Sequence, residues 1–107
     1  MESVAPQDFR GERLERPGTW AVSFLASWCP FCRAFRPKFE GFSTPPGVRL
    51  AVADLSEDSN PLWESLGIEV VPTLIVFREG TRVWRRDGQG GVGLGAADLE
   101  AMRRALA

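Results

Sequence analysis

The chain has 107 residues, 44% hydrophobic and 25% charged, with thirteen basic and fourteen acidic side chains that leave a net charge of −1. This length holds one hydrophobic core and not two, and the composition excludes a disordered or fibrous architecture. The near-neutral balance gives bulk electrostatics no hold on nucleic acid or an anionic membrane, no apolar run reaches the length of a membrane span, and MESVAPQDFRGERLE lacks the apolar centre of a signal segment. The expectation is one domain over residues 1–107, cytoplasmic and monomeric, with neither nucleic acid nor membrane as partner.

In chain order, DFRGERLER (residues 8–16) reads as a short helix capped by Asp8 and weakened by Gly11. TWAVSFLA (19–26) is too brief for a buried helix and rich in strand formers, so it predicts a central strand covered on both faces. From Cys29 to Phe42, the residues Phe35, Phe39 and Phe42 recur at helical spacing and predict a helix with one aromatic face, kinked at Pro37. VRLAVAD (48–54) predicts a second strand. NPLWESLG (60–67) predicts a short helix with Asn60 as cap, Pro61 in its first turn and Gly67 as its stop. TLIVFR and TRVWRR around Glu79-Gly80 predict a β-hairpin, and AADLEAMRRALA closes the chain as a helix with Leu99, Met102 and Leu106 on its inner face. The series implies an α/β fold, a mixed sheet of four to five strands with helices on both faces.

The chemistry concentrates in SWCPFCRAFRP, which holds the only two cysteines of a chain without histidine. A disulfide across two residues closes too small a loop to constrain the unfolded chain much. A zinc site wants four ligands and two thiolates do not make one, so a metal or an iron–sulfur cluster would have to be shared between subunits. Redox exchange suits the pair better. At a helix start the unpaired backbone N–H groups and the helix dipole favour a thiolate, which predicts a lowered pKa for Cys29. Helical-wheel spacing from the phenylalanine stripe predicts Cys29 exposed and Cys32 shielded, an asymmetry suited to attack by one sulfur and resolution by the other.

These residues resemble the thioredoxin family over nearly the whole chain. FLASWCPFC is similar to the family's active-site entry, with Trp28 before the nucleophile and Pro37 at the position of a helix proline, and GIEVVPTLIVFREG is similar to its second signature. The resemblance implies a thioredoxin fold and a thiol–disulfide oxidoreductase acting on protein disulfides, with Cys29 and Cys32 catalytic and no cofactor. It implies a cis-proline at Pro72, with Val71 offering backbone groups to an extended substrate, Gly88 leaving room beside the same groove, and a mouth shaped by Trp28, Pro30 and Phe31. Trp28, Phe31, Val71 and Pro72 together are expected to form an exposed apolar patch. A reductase or other dithiol partner would regenerate the pair when it works as a reductant.

Two departures alter the expectation. Pro30-Phe31 between the cysteines is closer to a glutaredoxin, and Ser23 and Val52 stand where the family has a buried aspartate and a lysine. Neither replacement accepts a proton at neutral pH, and the missing acid implies a more acidic Cys29 and a somewhat more oxidising pair. The alternatives are a glutaredoxin-like, glutathione-dependent enzyme, a non-catalytic binding module and a subunit-bridged cluster carrier. GQGGVG (88–93) satisfies G-x-G-x-x-G, but no strand or ribose-binding acid follows it, so it reads as a loop near the substrate groove rather than a nucleotide site. Trp20, Trp63 and Trp84 read as packing residues, and Arg33, Arg36, Arg82, Arg85 and Arg86 as solvated.

Overall fold

The apolar run becomes the middle of the sheet. In the computed structural model, which describes residues 1–107, strand β4 (Thr19–Leu25) pairs in parallel with β5 (Val48–Asp54) on one side and antiparallel with β6 (Thr73–Arg78) on the other. Strand β1 (Glu2–Val4) adds in parallel to β5, and β7 (Thr81–Asp87) adds antiparallel to β6, giving the order β1-β5-β4-β6-β7. The chain has therefore the thioredoxin-like α/β architecture expected, with five strands. The hairpin lies where predicted, turning at Glu79 and Gly80, both with positive φ.

Period-two alternation along β4 divides the interior into two cores. Trp20, Val22 and Phe24 pack with Leu62 and Leu66 of helix α2 (Leu62–Ser65) on one face. Ala21 and Leu25 pack on the other with Phe35 and Phe39 of helix α1 (Pro30–Glu40) and with Leu99, Met102 and Leu106 of helix α3 (Ala96–Leu106). Helix α1 runs uninterrupted through Pro37. Helix α2 is shorter than predicted, although Asn60 still caps its entry, its Oδ1 accepting the Leu62 N–H at 2.9 Å.

Two differences from the sequence reading fall near the N-terminus. Strand β1 shows no pattern in sequence because only Val4 of its three residues turns inward. Residues 8–16 are not a helix. After one 3-10 turn (Pro6–Asp8), the short strands β2 (Phe9–Arg10) and β3 (Arg13–Leu14) form a hairpin that turns at Gly11, whose φ is +58°. Phe9 and Leu14 sit directly opposite across that hairpin and both reach the core, whereas a helix would place them about 140° apart. Asp8 does cap a helical turn, but the preceding one: its Oδ2 accepts the Ala5 N–H at 2.8 Å.

Trp20 is buried between the guanidinium groups of Arg16 and Arg49, and Trp63 and Trp84 are half-buried against the two cores, the packing roles expected of them. Phe77 is wholly buried and meets Phe9 edge to face, ring centroids 5.7 Å apart. Phe77→Ala should therefore destabilise the protein by about 3–5 kcal/mol in urea unfolding, and Phe9→Ala, from a half-buried site, by clearly less.

Candidate active site

Strand β4 ends at Leu25, and the turn that follows delivers Cys29 to the N-cap of α1, with Pro30 in the first helical position and Cys32 in the third. A helix N-cap normally carries an oxygen that accepts a free backbone N–H of the first turn. Here a sulfur does so, for the Cys32 N–H donates to Cys29 Sγ at 3.2 Å. The Cys29 thiol in turn donates to the Val71 carbonyl at 3.5 Å. That carbonyl belongs to the segment just before β6, where the Val71–Pro72 bond is cis.

Cys29 is not exposed as expected; both cysteines are free and buried. The wheel argument fails because an N-cap residue does not have helical backbone geometry. Cys29 has φ −97° and ψ 115°, which turns its side chain inward beneath Val71. The two sulfurs differ instead in electrostatics. Burial pushes the Cys32 thiol up from 9.0 to about 12, and the hydrogen bond with Cys29 and the nearby Cys29 charge act in the same direction. The floor beneath the pair is neutral. Ser23 and Val52 are register neighbours on β4 and β5, both buried, and the Ser23 hydroxyl has no hydrogen-bond partner.

Around the sulfurs, Trp28, Pro30 and Phe31 are exposed, while Val71 is half-buried and Pro72 buried. The expected apolar patch thus keeps its tryptophan and phenylalanine but loses Pro72, whose ring lies under Gly88. Gly88 donates its N–H to the Pro72 carbonyl at 2.9 Å, and a Cβ on Gly88 would lie 2.6 Å from that oxygen. The residue must be glycine for the two strands of backbone to come this close. On the far side, Cys32 borders a cleft of about 490 Å³ shared with Arg33 and Arg36 of α1, Val52 and Asp54 of β5, and the β1 segment. Arg33 and Arg36 are exposed, as expected of a solvated helix face. No group of three or more histidine, cysteine or acidic side chains gathers anywhere in the chain, so the pair gains no further metal ligands from it.

Two contributors to the site escaped the sequence reading. Ser56, in the turn after β5, anchors the active-site turn. Its Oγ accepts the Ser27 N–H at 2.8 Å, its carbonyl accepts the Trp28 indole N–H at 2.9 Å, and its hydroxyl donates to Asp54. Nothing local to Ser56 signals contacts made 28 and 29 residues away. Arg85 is the other. It is not solvated: its side chain is only 19% exposed, it pairs with Asp87, and its guanidinium donates to the carbonyls of Leu66 and Gly67, the latter at 2.9 Å. These oxygens are left free where α2 ends, and the segment leading to Val71 starts from them. Arg86 is exposed but paired, with Asp98 at 3.0 Å.

Arg85→Ala should cost about 1–3 kcal/mol in denaturant unfolding, and Arg85→Lys should recover little of it, because an ammonium cannot reproduce the planar fork. The raised Cys32 pKa carries its own signature in the reduced protein. The unfolded chain loses this proton near pH 9 and the folded chain only near 12, so the unfolded state is favoured progressively between those values. The reduced protein should accordingly lose stability from pH 9 upward faster than Cys32→Ala does, as read by urea midpoints at stepped pH.

Comparison with known proteins agrees with this geometry. The Thioredoxin family model matches residues 1–97. Thioredoxin of Rhodospirillum rubrum is 35% identical over 81 residues, which is 75% of this chain and 78% of that protein. Protein disulfide-isomerase A3 of Gallus gallus is also 35% identical, over 87 residues, but they are 79% of this chain and only 17% of that longer protein. Among solved structures, thioredoxin f2 of Chlamydomonas reinhardtii shares the fold with a TM-score of 0.75 at 21% identity, over 95% of this chain and 92% of that one. With its Cys29–Cys32 pair at the start of α1 and a family match across most of its length, the chain belongs to the thioredoxin family, whose members are thiol–disulfide oxidoreductases.

Proposed function

We propose that the protein reduces disulfides in other proteins, with Cys29 as nucleophile and Cys32 as resolving thiol. The observation that carries this reading is the inequality of the two sulfurs. One caps a helix and accepts a backbone N–H; the other is held as a neutral thiol by burial. The Cys29 thiolate attacks one sulfur of the substrate disulfide, forming a mixed disulfide and expelling the other substrate sulfur as a thiolate. The Cys32 thiol then gives up its proton and attacks Cys29 Sγ, which closes the Cys29–Cys32 disulfide and releases the second substrate thiol. Two electrons pass from the pair to the substrate, so no cofactor is required.

Cys32 cannot pass its proton to the floor, where Ser23 and Val52 offer no base. The departing substrate sulfur takes it, directly or through water. Because this transfer occurs only once the mixed disulfide has formed, the resolving thiol stays silent until substrate is attached. The backbone of Val71 and Pro72 receives an extended substrate segment, Gly88 leaves room for it, and Trp28, Pro30 and Phe31 line its approach. The protein acts as a monomer and is returned to the dithiol by a reductase or another dithiol protein.

Insulin reduction tests the reading. Cys29→Ser should abolish it, and Cys32→Ser should accumulate a mixed disulfide through Cys29 that dithiothreitol releases. In the reduced parent at neutral pH, iodoacetamide should modify Cys29 well before Cys32; equal rates would overturn the division of roles. Equilibration with glutathione buffers tests the direction: a potential closer to about −270 mV than to the −120 to −180 mV range of oxidants and isomerases is expected of a reductant.

A further inference from the structure

The glycine-rich segment that follows β7 has no part in the scheme so far. It leaves the fold at Gly88 and returns at Gly93, and both ends are fastened to the active site. Gly88 is bonded to the Pro72 carbonyl. Gly93 is buried, has φ +75°, and lies so close to Phe31 that a Cβ on it would come within 2.8 Å of the Phe31 Cβ. No residue with a side chain fits there without displacing Phe31.

The four residues between these ends form a turn closed on itself. The Gln89 carbonyl accepts the N–H groups of Val92 at 3.0 Å and Gly93 at 2.8 Å. The fold does not need the excursion to connect β7 with α3, since the Cβ position of Gly88 is only 3.6 Å from the Gly93 Cα. Its one large apolar side chain, Val92, is 66% exposed. Val92 is thus held next to Phe31, 40% exposed, on the side of the cysteines where Trp28 is 54% exposed. No charged side chain occurs from Gly88 to Ala97, in a protein where a quarter of the residues are charged.

We propose that the Gln89–Val92 excursion is a substrate-selecting rim, in which Val92 with Phe31 takes a bulky apolar side chain flanking the disulfide of the protein substrate. The proposal rests on the exchange reading above. An extended segment docked at Val71 lies between β6 and this loop, and a neutral apolar rim rewards an aliphatic or aromatic neighbour while offering a charged one neither counter-charge nor hydration. Discrimination by one such contact is about tenfold.

The test uses two disulfide-linked peptides that differ only in a Leu or an Asn beside the cysteine, with bis(2-hydroxyethyl) disulfide, too small to span the distance to the rim, as reference substrate. The parent should favour the Leu peptide by about tenfold in kcat/KM. Val92→Ser, and excision of Gln89–Val92, should each reduce the preference to about threefold or less, and Val92→Leu should keep or raise it. Equal use of the two peptides by the parent, or an undiminished preference in both Val92→Ser and the excised protein, would overturn the rim while leaving exchange intact. A parent that cannot reduce even the reference disulfide would overturn the exchange reading and the rim together.

Discussion

A sulfur in place of an oxygen at a helix N-cap is the constraint from which the rest of the site follows. The first turn of α1 needs an acceptor for its free N–H groups, and Cys29 Sγ supplies it to Cys32. Meeting that need sets the Cys29 backbone outside helical geometry and turns the side chain inward, towards the Val71 carbonyl. It also places Cys32 one turn along, over the neutral floor of Ser23 and Val52, where burial keeps its proton on. Each sulfur has its character because of where the helix begins.

Keeping the helix start in position requires three distant segments. Ser56 holds the turn that carries Ser27 and Trp28, through bonds to the backbone of one and the indole of the other. Arg85 fixes the end of α2, from which the chain runs to Val71, and Gly88 presses β7 onto the Pro72 carbonyl from the other side. The site is therefore assembled across the carboxyl end of β4, with contributions from the turns after β5, α2 and β7. Sheet order makes this possible, because β4 lies between β5 and β6 and all these turns gather about its end.

How much of this was legible in sequence depended on whether the signal was periodic. The central strand, the phenylalanine face of α1, the hairpin and the inner face of α3 all advertise themselves through spacing, and each lies where spacing puts it. The pair Phe9 and Leu14 misled because a two-residue-turn hairpin brings residues five apart face to face, a pattern easily taken for part of a helix when Gly11 is discounted. Cys29 misled for a related reason: a helical wheel describes residues inside a helix, and the N-cap is not inside. Arg85 and Ser56 were beyond reach, since their roles are hydrogen bonds to backbone atoms far along the chain and no property of their neighbours marks them.

A buried nucleophile is compatible with attack on a protein because of the weakness of the bond that covers it. The Cys29 thiol is a poor donor, and its contact with the Val71 carbonyl, at 3.5 Å, is long. A backbone N–H of an arriving substrate strand is a better partner for the same oxygen, by something near 1 kcal/mol in a typical exchange of hydrogen bonds. Docking at Val71 therefore releases Cys29 from the group that conceals it, so that the sulfur is uncovered where an extended chain has already bound. The Cys32 N–H stays pointed at Cys29 Sγ throughout and stabilises the thiolate once the proton has left. In this scheme recognition of backbone and activation of the nucleophile are one event, and the loop from Gly88 to Gly93 stands at the side of that event where it can read the substrate's side chains.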